Sequence, residues 1–454
     1  MRLTIRPRFK GLFLFAAAVF LAASPARAVD IQRVVSPGGI EAWLVEDSSN
    51  PILSLELAFR DGGSVLDPEG KEGLAHLVSG LIDEGAGPLD SQTFRREMEN
   101  RSISISFDAG LDRFFGSLVT LTKHRDKAFE LLRLALTEPR FDEEPVERIR
   151  SQILARLARD SEDPDVIAML TLRALFWEGH PYRRPLRGTP ESVGKVTRDD
   201  LAGYAKRIFT RDRLVVGVTG DITADDLAKL LDATFLGLPE TGENGKVADA
   251  QPKATGDLIV IEREMPQSNA LFGHGGIARD DPDYYVAQVV NYVLGGGSFS
   301  SRLYSEVREK RGLAYSVYSY LSPLDHGAMI LGGVATQNGR VAESLDLIRA
   351  EWTRMAEEGP SAEELEHAKT YLTGSFPLRL SSSGRIARTL VGIQLQDLGI
   401  DYLDKRNDYV EAVTLEDAKR VAGRIYDPEA LTVIVVGQPE GLTPTREAPQ
   451  DKSG

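Results

Sequence analysis

Apolar and polar positions follow two periods along this chain. Segments alternating at every second position and rich in branched side chains, 40–46, 53–60 and 102–121, read as strands. Segments with a period of about 3.6, at 73–84, 90–100 and 143–161, read as helices. The same mixture returns later. There 258–264, 269–277, 314–321 and 327–336 are strand-like, and 283–294 and 300–310 are helical. Hairpin-like strand pairs beside helices predict an α+β fold, each sheet mainly antiparallel with helices covering one face.

The later mixture is a repeat of the earlier one. Residues 196–221 read VTRDDLAGYAKRIFTRDRLVVGVTGD and residues 413–438 read VTLEDAKRVAGRIYDPEALTVIVVGQ. They align without a gap and agree at ten of 26 positions. In each, a Thr (Thr197, Thr414) precedes acidic residues as a helix N-cap would. An amphipathic helix follows, then a β-branched strand, 214–219 or 431–436. An offset of 217 residues means two tandem homologous domains rather than a short-period solenoid. The domains are predicted at 29–240 and 257–441. Between them, 241–256 lacks an apolar period and reads as an exposed linker. The Pro- and charge-rich end, 442–454, reads as a disordered tail.

The first 28 residues read as a leader. Arg2, Arg6, Arg8 and Lys10 precede an apolar run, 11–23, and Ala26-Arg27-Ala28 ends it with a cleavage pattern. The run is about 13 residues, short of the ~20 that span a bilayer. Cleavage after Ala28 and release into a periplasm are expected, with no membrane attachment afterwards. The net charge of −14 over 454 residues has the wrong sign for nucleic-acid binding. The absence of cysteine excludes disulfides, thiolate-held metals, a thiol nucleophile and an acylated N-terminal cysteine.

Two stretches carry candidate chemistry. The first is Gly73-Leu-Ala-His76-Leu-Val-Ser79-Gly80-Leu-Ile-Asp83-Glu84-Gly85. It resembles the pitrilysin and mitochondrial processing peptidase family, zinc peptidases with an inverted H-x-x-E-H motif. There two His four residues apart hold the metal and the Glu between them is the general base. The resemblance covers essentially 29–441, duplication included. It matches through His76 and then departs. Ser79 stands at the general-base position and Gly80 at the second-ligand position. A third ligand, a Glu, is expected about 76 residues further on, where this chain has Arg156. One imidazole cannot hold zinc tightly. A guanidinium about 4 Å from a dication adds several kcal/mol of repulsion at an effective dielectric of 20. No metal is expected in this chain. Asp83 and Glu84, two turns beyond His76, are too distant from it to build one compact tetrahedral site.

The second stretch is Gly295-Gly-Gly-Ser-Phe-Ser-Ser-Arg302-Leu-Tyr-Ser-Glu306-Val-Arg308-Glu-Lys-Arg311-Gly312-Leu-Ala-Tyr315. It resembles the C-terminal signature of the same family, in which an Arg and a Tyr seven residues apart complete the active site. They match Arg308 and Tyr315. A phenol can donate to a developing oxyanion, and a guanidinium offers a fixed fork to backbone carbonyls or a carboxylate. Taken alone, the residues also allow a structural role. Arg308 could complement a helix C-terminus and pair with Glu306 or Glu309, and Tyr315 could be a core aromatic. No phosphate-binding loop or G-x-S-x-G elbow occurs. His124, His180, His274, His326 and His367 are scattered, and His180 in Gly179-His-Pro-Tyr182 reads as structural.

The resemblance implies a metal-free subunit of a periplasmic heterodimeric peptidase. A homologous zinc-binding partner would carry the metal, and this chain would supply Arg308 and Tyr315 to a chamber for peptides or unfolded protein. Other readings are a non-catalytic scaffold or peptide-binding protein of the same fold, and an active zinc peptidase with an unusual site.

Overall fold

The computed structural model describes residues 29–242 and 245–449. The expected leader lies outside the described residues, as do 243–244 of the linker and 450–454 of the tail. Among the described residues, the first half holds strands β1 (Gln32–Val35), β2 (Glu41–Glu46), β3 (Ile52–Phe59), β4 (Gly85–Ala86), β5 (Leu89–Asp90), β6 (Ser104–Ala109), β7 (Phe114–Leu121) and β8 (Leu214–Gly220). The second holds β9 (Leu258–Glu262), β10 (Gln267–Gly275), β11 (Ala314–Leu324), β12 (Gly327–Gln337) and β13 (Thr432–Gly437).

The duplication is a duplication of topology. One sheet runs β1-β2-β8-β3-β7-β6, the other β9-β13-β10-β12-β11. Aligned on the repeat, β2-β8-β3-β7-β6 corresponds strand for strand to β9-β13-β10-β12-β11. In both, the first pair is parallel and the rest antiparallel. Gly220 and Gly437 end the matching strands with φ of +139° and +148°. A Cβ at Gly220 would lie 2.1 Å from the Ile52 carbonyl oxygen, and one at Gly437 would lie 2.8 Å from Ser268 Cα. Both Thr caps form: Thr197 accepts from the Asp200 N–H and Thr414 from the Asp417 N–H.

Each sheet is covered on both faces, not one. Its own helices cover the first face. The second is covered by a helix lent from the other half. Helices Pro164–Phe176 and Ser383–Leu395, each 13 residues long, are exchanged. Ala168, Leu172, Leu175 and Phe176 pack on Ile259, Leu271, Met329, Leu331, Ile434 and Val436 of the second sheet. In return Leu390 and Ile393 pack on Trp43 and Val45, and Val391 and Leu395 on Ala58 and Val215. Double coverage explains why β8 and β13 are almost wholly buried apolar runs rather than alternating ones. Gly217 admits the lent helix, since a Cβ there would sit 2.5 Å from the Ala387 carbonyl oxygen. Polar locks reinforce the seam. Arg60 donates to the Leu395 carbonyl at 3.0 Å, Arg388 pairs with Glu56 at 3.0 Å, and Arg113 pairs with Asp325 at 2.5 Å.

Several expected elements differ. Residues 102–121 form a hairpin, β6 and β7, because residues 110–112 turn to accept hydrogen bonds from the N–H groups of Gly62, Ser64 and Val65. The helix expected over 73–84 is only Leu74–Ser79. Beyond it, Glu84 is drawn away to Arg95 and Arg148 at 2.9 and 2.8 Å. The helix expected over 300–310 is a 3₁₀ turn, Ser298–Ser300, followed by a π-helical stretch, Tyr304–Glu309. The described linker residues are exposed or half-buried, as expected, and two of them are also strapped down. Ala250 N–H donates to the His326 carbonyl and Lys253 N–H to the Phe176 carbonyl, both at 2.9 Å. The described part of the tail is not free either, since Thr445 N–H donates to the Leu258 carbonyl at 2.9 Å while Leu258 N–H donates to Thr445 Oγ1 at 2.8 Å. Among the described residues, no helix is long and apolar enough to cross a membrane.

Candidate functional site

The helix bearing His76 is set by contacts that the sequence reading did not single out. Gly73 starts it with φ of +91°, where a Cβ would lie 2.5 Å from the Arg187 carbonyl oxygen. Asp67 caps it, accepting from the Gly73 and Ala75 N–H groups at 2.8 and 3.0 Å. Burial pushes the Asp67 carboxyl up to about 7 against the pull of those N–H groups. Leu74, Leu77 and Val78 anchor the other face in the first core.

The backbone of the motif survives while its ligands do not. Gly80 N–H donates to the His76 carbonyl at 3.3 Å, so positions 76 and 80 keep the one-turn spacing that two ligands would need. The Ser79 hydroxyl is turned back onto the His76 carbonyl at 2.8 Å. His76 Nδ1 is buried without a hydrogen-bond partner. Burial first, and then the Arg187 guanidinium, hold the His76 imidazole below the usual histidine range, with Arg156 adding to the effect and Asp108 and Asp160 opposing it. The charges of Arg156, Arg187, Asp108 and Asp160 thus all act on the imidazole, and Arg156 itself pairs with Asp160 at 3.8 Å. Burial pushes the Asp83 carboxyl up to about 6, and Glu84 serves elsewhere, bound by Arg95, Arg148 and Ser91. Among the described residues, no group of three or more His, Cys, Asp or Glu side chains is placed to hold a metal ion.

The second stretch is differently preserved. Glu306 is taken by Lys310 at 2.5 Å and Arg311 at 2.7 Å. Arg308 instead lies in an aromatic cage, its guanidinium carbon 4.6 Å from the Tyr315 ring centre, 4.8 Å from Tyr304 and 5.9 Å from Phe299. Phe299 and Tyr304 brace each other edge-on at 4.9 Å. Stacking holds a guanidinium by its faces and leaves the N–H donors at its edge available. Tyr315 is not a core aromatic. A bulge between Ala314 and Val317 breaks the register of β11 and turns Tyr315 outward, leaving it 82% exposed. Both side chains line a cleft of about 370 Å³ with Gln267, Gln337 and Thr336. Phe299 and Tyr304 were legible only as members of the Gly-rich stretch; their caging role needed the fold.

The two stretches sit at corresponding places. The His76 helix packs beside β6 and the Arg308 helix beside β11, the equivalent outer strands of the two sheets. The remaining histidines that could have mattered are structural. His274 is buried, accepts from Trp352 Nε1 at 2.8 Å through Nε2, and contacts the Gly275 carbonyl at 2.6 Å through Nδ1. His180 holds the linker carbonyl of Ala248 at 2.8 Å.

Known proteins match this chain along most of its length. Residues 44–190 match the family described as Insulinase (Peptidase family M16), and residues 195–372 match the Peptidase M16 inactive domain. The chain is 32% identical over 335 residues to the non-peptidase homolog YmxG of Helicobacter pylori, covering 72% of this chain and 76% of that one. It is 26% identical over 396 residues to the probable mitochondrial-processing peptidase subunit beta of Schizosaccharomyces pombe, covering 84% and 86%. A solved peptidase M16 inactive domain from Pseudomonas fluorescens superposes with a TM-score of 0.84 at 26% identity, covering 92% of this chain and all of that one. Two tandem sheets of one topology, a metal motif surviving as backbone and these relatives lead to one assignment: the chain belongs to the M16 peptidase family.

Proposed function

We propose that this chain is a metal-free M16 subunit that pairs with a homologous zinc-binding chain in the periplasm and completes its active site with Arg308 and Tyr315. The observation that carries the reading is an asymmetry. The metal half has lost its general base at Ser79 and its ligands at Gly80 and Arg156, whereas the other half holds Arg308 in an aromatic cage and presents Tyr315 to solvent. In the shared chamber Arg308 would orient the backbone of an extended peptide, and the Tyr315 phenol would donate to the carbonyl oxygen as it becomes an oxyanion. Zinc and the general base would belong to the partner. One relative is named as a subunit of a processing peptidase, which supports pairing.

The test is turnover by the purified pair. The chain alone should be inert and zinc-free. In the pair, Tyr315→Phe should lower kcat by about 100–1000-fold, the usual loss for one oxyanion donor, with the complex intact. Stoichiometric zinc and peptide hydrolysis by the single chain would overturn the reading. A second reading, a non-catalytic scaffold or peptide-binding protein, is favoured by the relative named a non-peptidase homolog. Unchanged turnover by Tyr315→Phe would select it.

A further inference from the structure

Arg308 is a cation without an anion. It is half-buried, and its guanidinium carbon lies 4.6, 4.8 and 5.9 Å from the ring centres of Tyr315, Tyr304 and Phe299. Among the described residues, its N–H groups form no hydrogen bond and no ion pair. The acids nearby are committed or set apart. Glu306 is shared by Lys310 and Arg311. Glu309 is exposed, Glu440 lies beside Gly339, and neither lines the cleft. Among the described residues that do line it, Arg308 is the one cation and none is an acid. Arg340 donates to the Gly312 carbonyl at 3.3 Å, which brings a second guanidinium to the cleft wall.

The rest of the lining offers donors rather than negative charge. Gln267 and Gln337 stand opposite each other in register on β10 and β12, and both are exposed. Each amide carries two N–H donors. Thr336 is already spent, since its hydroxyl donates to the Leu313 carbonyl at 2.6 Å. What this cleft lacks is an acceptor that satisfies fork and charge together. A carboxylate does so, because it is charged and accepts two parallel hydrogen bonds from a guanidinium. A backbone carbonyl has one oxygen and no charge, and it recurs at every residue, so it would not select one peptide over another. The chain as a whole carries −14, so any preference for acids must be local.

We propose that the Arg308 cleft is a carboxylate subsite, in which the Arg308 fork takes one carboxylate of a bound peptide beside the Gln267 and Gln337 amides. That carboxylate belongs to an acidic side chain or to the peptide's C-terminus, which present the same pair of oxygens. The inference rests on the reading of this corner as part of a peptide site, and it adds the substrate chemistry that the corner selects.

The test is calorimetric binding to the purified chain of one octapeptide in three forms. The first has both ends blocked and Gln at its centre. The second has Glu at the centre, and the third keeps Gln and has a free C-terminal acid. An acidic form should bind about 10–100-fold more tightly than the neutral one, the value of hydrogen bonds to a charged group; which acidic form gains identifies the source. Arg308→Gln should remove the preference. Arg308→Lys, which keeps the charge and loses the fork, should recover only part. Gln337→Glu, at an exposed position outside the aromatic cage, adds an acid at the rim and should cut the preference about tenfold. Equal binding of the three forms, or no binding of any, would overturn the proposal, as would a preference that survives both Arg308→Gln and Gln337→Glu. Competition by inorganic phosphate as strong as that by the acidic peptide would overturn it too, since the cleft would then read charge alone. Failure of the partner-assisted reading has a separate signature: Tyr315→Phe would leave turnover by the pair unchanged while the single chain kept its preference for the acid.

Discussion

Leu390→Ala tests whether the two halves are one folding unit. Leu390 belongs to the second half by sequence, yet it is fully buried against Trp43 of the first sheet and over Gly217. Removing three carbons loses about 0.8 kcal/mol of transfer energy for each, or roughly 2.4 kcal/mol. A cavity term adds to this, because the helix cannot settle inward. Arg60 holds its C-terminal carbonyls, Gln394 donates to the Val216 carbonyl at 3.1 Å, and Arg388 is tied to Glu56. The total should be about 3–4 kcal/mol, within the usual Leu→Ala range of about 2–5 kcal/mol. For a guanidinium chloride slope on the order of 6 kcal/mol/M, the midpoint should fall by about 0.5 M. The three tryptophans report separate regions: Trp43 under the lent helix, Trp177 at the seam and Trp352 in the second core. Single-tryptophan variants should show one coincident transition before and after the substitution. If the Trp43 signal moves while the Trp352 signal does not, the halves unfold independently and the coupling argument fails.

Three further outcomes are expected. Gly188→Ala should destabilise the chain by about 2–4 kcal/mol in thermal melts, because Gly188 has φ of +74° and its Cβ would lie 2.0 Å from the Glu72 carbonyl oxygen; an unchanged midpoint would contradict the tight fit of that loop. Burial holds the His274 imidazole below its ordinary range, so the unfolded chain takes the proton first. The stability carried by neutral His274 should be full above about pH 6.5 and drain as pH falls below it. The stability difference between wild type and His274→Asn, measured from pH 8 to 5.5, should shrink accordingly, and a flat difference refutes the assignment. Ser79→Glu, Gly80→His and Arg156→Glu together should bind about one zinc ion by metal analysis, with Ile149 yielding slightly, since its Cγ2 lies 3.2 Å from a Cβ at position 80. No zinc in that variant would mean that the backbone has drifted beyond what three side chains restore.

The repeat and its capped helices were legible because they rest on local signals: a Thr before acids, an apolar period, a β-branched run. The strand order followed from duplication once one half had folded. The exchange of helices was not legible. An apolar face announces that something covers it and does not say what, and Ala168 or Leu390 would carry the same signal against a neighbour in either half. The hairpin within 102–121 was hidden because its turn is shaped by distant N–H groups at Gly62, Ser64 and Val65. The contacts of the linker and tail were hidden for the same reason: polar composition sees no partner, whereas the carbonyls of Phe176, His326 and Leu258 supply one. At the candidate site, the residue types at 76, 79, 80 and 156 were plain in the sequence. Asp67, Asp160 and Arg187 were missed because their positions come from tertiary contacts, and the cage around Arg308 needed Phe299 and Tyr304 to be folded onto it.

The two corners of the fold differ in what maintains them. The His76 helix is required by the first core, since Leu74, Leu77 and Val78 are buried and Asp67 and the loop at Gly188 close over its start. Its backbone would persist whether or not it held a metal, so its survival says nothing about activity. Tyr315 has the opposite status. A side chain 82% exposed on a bulged outer strand contributes little burial, and stacking on the half-buried Arg308 guanidinium adds only on the order of 1 kcal/mol. Folding has scant use for that tyrosine, or for an arginine whose acidic neighbour Glu306 is already taken by Lys310 and Arg311. Stability therefore accounts for the corner that has lost its chemistry and leaves the other corner unexplained. That residue of explanation is why the proposed role in a shared active site is placed on Arg308 and Tyr315 rather than on the helix that resembles a zinc motif.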